Sequence, residues 1–324
     1  MKTELRPPQN KKRRLVKRRH LLGGLLVGGF VVINAPWVFG WLYQLYYRPV
    51  ERLPGVSLGP RTRLLVLAPH PDDEALACGG LIREVLAGGG QAGVVWLTSG
   101  DGFEWDVRLV ERTLRPTGAA SVALGRRRMG EARRAAEILG VPPEHRFFLG
   151  YPDQGLGQLL TDAHRTAPYR SSLTLTDRVP YDGTVSEGAP YTGESLERDL
   201  RTVLDRFRPT LVLAPALRDT HPDHRATAEL ALRVLGDRAE ADLLRYWVIH
   251  GGLEWPLPKG YHPALPLEPP TTGQGLPWHR LPLTPEVLER KHQAILAHQS
   301  QMELLSRFML AFVRTNELFS ERPT

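Results

Sequence analysis

Cysteine is nearly absent: the 324 residues contain one, Cys78. No intrachain disulfide and no cysteine-based zinc site can form from it. It sits in Ala-Leu-Ala-Cys-Gly-Gly, where a small packed core residue is expected. Nucleotide-cradling loops are missing too. Gly88-Gly89-Gly90 is neither a dinucleotide fingerprint nor a phosphate loop with its lysine. No internal repeat is evident. Excess charge of one sign is missing from most of the chain. The net charge is +7, yet residues 1–20 hold nine Lys/Arg against Glu4 and carry +8 by themselves. The remaining residues net −1, which excludes a broad basic nucleic-acid surface on them. Arg126, Arg127 and Arg128 form one short basic run and are expected on a solvated face.

Residues 21–47 lack any charged side chain and end in the aromatic cluster Trp37, Phe39, Trp41, Tyr43, Tyr46 and Tyr47. About 20 apolar residues span a bilayer as a helix, and Trp and Tyr suit its interface. The expectation is an uncleaved transmembrane signal anchor. With the basic tail 1–20 on its N-terminal side, the positive-inside rule places the tail in the cytoplasm and the rest of this single-pass protein outside it. A cleaved signal peptide is the rival, but the stretch is long for one and Pro36 follows the small residue Ala35. Residues 48–62, with Pro49, Pro54, Gly55, Gly59 and Pro60, read as a linker.

From Arg63 onward the pattern alternates. Short Leu- and Val-rich runs without polar alternation fall at 63–68, 93–98, 146–149, 210–215 and 245–249, the mark of buried parallel strands. Helical patterns fall between and after them, over roughly 73–88, 129–139, 194–207, 223–236 and 285–298. Gly140 with Pro142 beyond stops one, and Thr284 with Pro285 starts another. Repeated β-α-β units predict a Rossmann-like three-layer α/β fold with a mostly parallel sheet, preceded by one N-terminal transmembrane helix. The turn-rich residues 151–190 are expected as loops over the site, and the Pro/Gly-dense 251–285 as a long surface excursion.

Two motifs follow buried strands: His70-Pro71-Asp72-Asp73-Glu74 after 63–68, and His221-Pro222-Asp223-His224 after 210–215. Ligands of open α/β sheets bind at the carboxyl ends of strands. His70, Asp73 and His224 supply two imidazoles and one carboxylate, a set that suits catalytic zinc with a place left for water; ferrous iron is the alternative such a set also suits. A metal-activated water needs a proton acceptor, and Asp72 can be that base. His221 can stabilise the developing oxyanion and protonate the leaving amine, with Asp223 orienting an imidazole. A single such motif could be mere helix capping; two of them argue for a metal. His145, His164, His250, His262, His279 and His292 have no ligand spacing and are read as surface or core histidines. Trp105 and Trp255 suit sugar stacking or packing alike.

The string Ala68-Pro69-His70-Pro71-Asp72-Asp73-Glu74 resembles the first signature of the PIG-L/LmbE-like zinc-dependent de-N-acetylases, with Pro69 inserted between Ala68 and His70. Asp219-Thr220-His221-Pro222-Asp223-His224 resembles the second. Thr98-Ser99-Gly100-Asp101, Gly130-Glu131-Ala132-Arg133 and Leu149-Gly150-Tyr151-Pro152-Asp153 fit in order, as do Lys291, Ala294, Ile295, His298, Ser300 and Gln301. The likeness covers about 63–315. It implies a deacetylase domain over 63–324 and hydrolysis of an N-acetyl group on an N-acetylglucosamine-type glycolipid or cell-envelope glycan. One zinc ion would sit on His70, Asp73 and His224. Asp72 would be the base, His221 the oxyanion stabiliser with Asp223 behind it, and Asp153 and Asp101 the substrate contacts. The expected partner is an N-acetylated amino sugar, lipid-linked if the anchor at 21–47 tethers the chain; no nucleic-acid partner is expected. The alternatives are a membrane-tethered carbohydrate-binding protein without activity and an amidase for another small N-acyl conjugate.

Overall fold

The computed structural model describes residues 53–55, 58–102, 117–236, 243–252 and 255–324. Seven strands form one sheet in the order β3-β2-β1-β4-β5-β7-β6. They are β1 (Arg63–Ala68), β2 (Gln91–Thr98), β3 (Arg146–Tyr151), β4 (Leu211–Pro215), β5 (Leu244–Trp247), β6 (Trp278–Pro282) and β7 (Asn316–Ser320). β1 to β5 run parallel, while β7 pairs antiparallel with both β5 and β6. β1 is central, and every side chain from Leu64 to Ala68 is fully buried. Both of its faces are covered, so its sequence shows no alternation. Each such Leu contributes about 1.5–3 kcal/mol of apolar burial.

The helices are α1 (Asp73–Ala87), α2 (Ala119–Leu139), α3 (Leu156–Leu159), α4 (Gly193–Phe207), α5 (Pro222–Gly236), α6 (Pro285–Ala297) and α7 (Gln299–Met309). α1, α2 and α6 pack on one another, and α5 packs on α3 and α4. The arrangement is a mixed α/β fold with a mostly parallel sheet, consistent with the Rossmann-like expectation. Local chemistry sets the ends. Thr192 accepts the Ser195 N–H to start α4, and Thr284 accepts the Val287 N–H to start α6, with Pro285 in its first turn. Gly140 closes α2 at φ 84°, a left-handed conformation that favours glycine.

Some expectations are corrected. The single-pass membrane localisation is overturned: no helix among the described residues is long and apolar enough to cross a membrane. The segment 21–47 lies outside the described residues, as do the tail 1–20 and part of the linker. The described part of the linker is docked, since Pro54 O accepts the Arg280 N–H of β6 at 2.8 Å. α2 begins at Ala119 rather than near residue 129. Residues 251–285 are no simple surface excursion. They hold β6, and Trp255, Leu267, Leu276 and Trp278 join the core.

One feature of the strand order places the site. β1 pairs β2 on one side and β4 on the other. Their carboxyl ends flank the crevice where such sheets bind ligands. The two His/Asp motifs follow β1 and β4.

Candidate active site and metal centre

β1 ends at Ala68, and α1 starts at Asp73, so Pro69 to Asp72 make a tight turn at the sheet edge. Asp73 folds back on this turn: its Oδ2 accepts the His70 backbone N–H at 2.8 Å. The same oxygen lies 3.3 Å from His70 Nδ1 and 3.4 Å from His224 Nε2. His70, Asp73 and His224, the expected metal ligands, are thus brought together at one carboxylate oxygen, all of them buried. His224 is delivered by the first turn of α5.

Asp219 was not singled out from the sequence, yet it organises the second motif. Its Oδ1 accepts the His221 N–H at 2.9 Å, and its Oδ2 accepts the N–H groups of Ile249 at 2.9 Å and His250 at 3.0 Å. Oδ2 also lies 3.0 Å from His224 Nδ1. A carboxylate behind one imidazole nitrogen directs the other toward a metal. Burial alone would lower the His224 pKa, but Asp219 and Asp73 on either side raise it to about 10. Burial would raise both carboxyls; the facing imidazoles, His224 foremost in each case, hold Asp73 and Asp219 well below the usual carboxylate range. The centre therefore favours positive charge between two carboxylates, and its donors are two imidazoles and a carboxylate. These residues fit a divalent metal ion.

The other expected residues surround this point. Asp72 is buried, and its Oδ2 accepts from Arg128 Nη2 at 3.2 Å. Arg128 is itself completely buried and also donates to Pro71 O at 2.7 Å and Gly100 O at 3.0 Å. This corrects the solvated-face reading for Arg128. Gly100 stands at φ 62°, and a Cβ there would collide with the guanidinium. The His221 ring lies 4.8 Å edge-on from His70 and 5.0 Å from His224, centroid to centroid.

Asp223 meets His221 through its backbone N–H, 3.3 Å from Nδ1. Its carboxylate turns elsewhere. Oδ2 accepts the Gln154 N–H at 2.6 Å and lies 3.4 Å from His70 Nε2, while Oδ1 accepts the Leu156 N–H at 3.2 Å. It thereby ties the loop after β3 to the centre. Asp153, in that loop, places Oδ1 3.4 Å from His70 Nε2 and accepts the Gly102 N–H on Oδ2 at 2.8 Å. Asp101 is fully buried and accepts the Tyr181 hydroxyl at 2.6 Å. Burial and the neighbouring Asp153 push its carboxyl up to about 7.

Three overlapping trios each offer ligand atoms within 4.8 Å of one another: His70, His221 and His224; Asp219, His224 and His250; His70, Asp153 and Asp223. His250 thus belongs to the cluster, its ring 4.8 Å from His224 and 5.1 Å from His221. Spacing could not reveal it, but its place just after β5, the strand beside β4, is a topological signal. His145 stays away from the site and packs on Phe207. Trp255 is a loop anchor whose Nε1 donates to Glu268 O. Trp105 lies outside the described residues.

Comparison with known proteins adds the context. A 1D-myo-inositol 2-acetamido-2-deoxy-alpha-D-glucopyranoside deacetylase of Salinispora arenicola is 37% identical over 121 residues, 36% of this chain; the chain spans 38% of that relative's length. Deacetylase 1 of the same name in Saccharopolyspora erythraea is 29% identical over 262 residues, 77% of this chain and 80% of the relative. The crystal structure of the antimicrobial reagent A40926 pseudoaglycone deacetylase superposes with a TM-score of 0.50 at 21% identity, covering 80% of this chain and 96% of that one; it supports the fold. The family PIG-L, GlcNAc-PI de-N-acetylase, matches residues 65–235, more than half of the chain. With both motifs of the crevice inside that span, the chain belongs to the PIG-L family.

Proposed function

We propose that the chain is a metal-dependent N-deacetylase that removes acetyl from an N-acetylglucosamine-type group of a glycoconjugate, with residues 63–324 as its catalytic domain. One observation carries the reading: His70, Asp73 and His224 converge at a single carboxylate oxygen, with Asp72 next in sequence and held by Arg128. Family membership supports it, and so do the inositol-linked acetamido-glucopyranoside deacetylases among the relatives.

Zinc on His70, Asp73 and His224 would supply a Lewis acid for the acetamide carbonyl and for water. The remaining chemistry belongs to the chain. Asp72 accepts the proton of the attacking water as its oxygen adds to the carbonyl carbon. Arg128 fixes the orientation of that carboxylate. His221 donates a hydrogen bond to the developing oxyanion, then a proton to the amide nitrogen as the C–N bond breaks, so acetate and a free amine leave. Asp223 holds the loop that carries Asp153, and Asp153 and Asp101 receive hydroxyls of the sugar.

Acetate release by the purified full chain, across a panel of N-acetylated amino sugars and their conjugates, tests the reading. Wild type should release acetate from at least one, and Asp72→Asn should lose about 10²–10⁴-fold in kcat. Equal activity of the two proteins, or none from wild type loaded with metal, would contradict it.

A further inference from the structure

Glu74 has no part in the chemistry above, yet it is fully buried one residue beyond Asp73. Its Oε2 accepts the Asp72 backbone N–H at 3.0 Å and Trp96 Nε1 at 2.9 Å. Its Oε1 lies 2.9 Å from His298 Nε2. His298 is equally buried, more than 220 residues away in sequence, at the junction of α6 and α7. There its carbonyl accepts the N–H groups of Gln301 at 3.1 Å and Met302 at 2.9 Å. Trp96 in turn stacks on Phe148, ring centroids 4.4 Å apart. Glu74 is therefore a fixed acceptor, clamped from β2 on one side and from the C-terminal helices on the other.

What it clamps is strained. Asp72 stands at φ 125°, ψ −31°, a region that L-residues adopt only when the surroundings over-determine it. Its carbonyl is held by the first turn of α1, accepting from Ala75 and Leu76 at 3.0 Å each. Arg128 holds its carboxylate. Its amide is held by Glu74. Without that third restraint the peptide before Asp72 keeps only the Arg128 bond to Pro71 O at 2.7 Å, which fixes one edge of its plane; it can tilt toward an ordinary conformation, and the carboxylate shifts with it.

We propose that Glu74 and His298 are positioning residues that lock the Asp72 amide and so aim its carboxylate at the attacking water. The proposal rests on Asp72 being the base. The C-terminal helix pair thereby becomes part of the machinery that sets the turnover rate, although it contributes no group to the reacting atoms.

Three variants of the full chain test this. His298→Ala and Glu74→Leu should each lower kcat by about 100-fold, the loss expected from a misplacement near 1 Å, with KM unchanged. Glu74→Gln keeps an oxygen toward Asp72 and Trp96 while its amide faces His298 Nε2; it should keep more of the wild-type kcat than Glu74→Leu. Hydrogen exchange gives a readout without turnover. Amides at 72–75 should exchange faster in His298→Ala and Glu74→Leu, with β4 exchanging as in wild type, and all amides in Glu74→Gln should stay protected. Lower melting temperatures with kcat and local exchange unchanged would overturn the proposal. Should wild type release no acetate, the functional reading fails, and the exchange comparison still decides whether Asp72 is held in this way.

Discussion

Replacing Asp219 by Asn separates the two jobs this carboxylate does. Asp219 Oδ2 takes two donors, Ile249 N and His250 N, and lies 3.0 Å from His224 Nδ1, while Oδ1 takes one, from His221 N. An asparagine keeps the most hydrogen bonds by leaving its oxygen in the Oδ2 position. Its NH₂ then faces the His221 N–H, donor against donor. One unsatisfied backbone donor costs about 1–3 kcal/mol, which lowers the melting temperature by roughly 2–12 °C for a domain of this size. The second effect is electrostatic. The negative charge behind His224 is gone, and loss of such a partner weakens metal affinity by about 10–100-fold. Chelator competition with zinc measures this directly, alongside thermal unfolding of the metal-free protein. A loss of affinity together with the stability drop supports the account. Zinc binding as tight as wild type, with Asp219→Asn otherwise folded, would refute the role given to Asp219.

Other expectations concern the fold and its pH response. Lys291 and Glu317 form a fully buried pair at 2.6 Å, and Glu317 also accepts the Gly80 and Leu81 N–H groups. Lys291→Met leaves that carboxylate uncompensated and should cost about 3–5 kcal/mol in denaturant unfolding, while Lys291→Met with Glu317→Gln should recover part of it; no loss in the single variant would contradict the pairing. Asp101 has a folded pKa of about 7 against an ordinary 3.8. The folded state therefore binds its proton more tightly, and the resulting stabilisation is full below about pH 4 and disappears as pH rises through about 7. It amounts to roughly 4 kcal/mol at most. Asp101→Asn, whose oxygen can still accept the Tyr181 hydroxyl, should flatten the melting temperature between about pH 5 and pH 8; an unchanged profile would show that Asp101 is not the titrating group.

The parallel half of the fold was legible because both faces of its strands are covered. Leu64 to Ala68 and Leu211 to Pro215 read as buried runs, and strand-to-helix turns after them could be placed at one edge. β6 and β7 were not legible. β7 reads Asn-Glu-Leu-Phe-Ser, and its polar residues are buried because Glu317 meets Lys291 and Asn316 Oδ1 accepts the Leu267 N–H, tertiary partners that no local pattern announces. At the site, His70, Asp73 and His224 could be chosen from motif spacing. Arg128 could not, because a run of three arginines on a helix looks solvated until the turn at Gly100 folds over one of them. Asp219 stood two residues before His221, but only the structure shows that it faces His224. The membrane reading rested on the composition of 21–47 and the basic tail before it.

Metal stoichiometry and affinity of the full chain, measured for wild type and for His70→Ala, Asp73→Ala and His224→Ala, test the convergence on which everything else rests. The account predicts one tightly bound divalent ion per chain and a steep loss of affinity in each of the three variants with the fold retained. Undiminished metal binding after removal of any one of these side chains would contradict it.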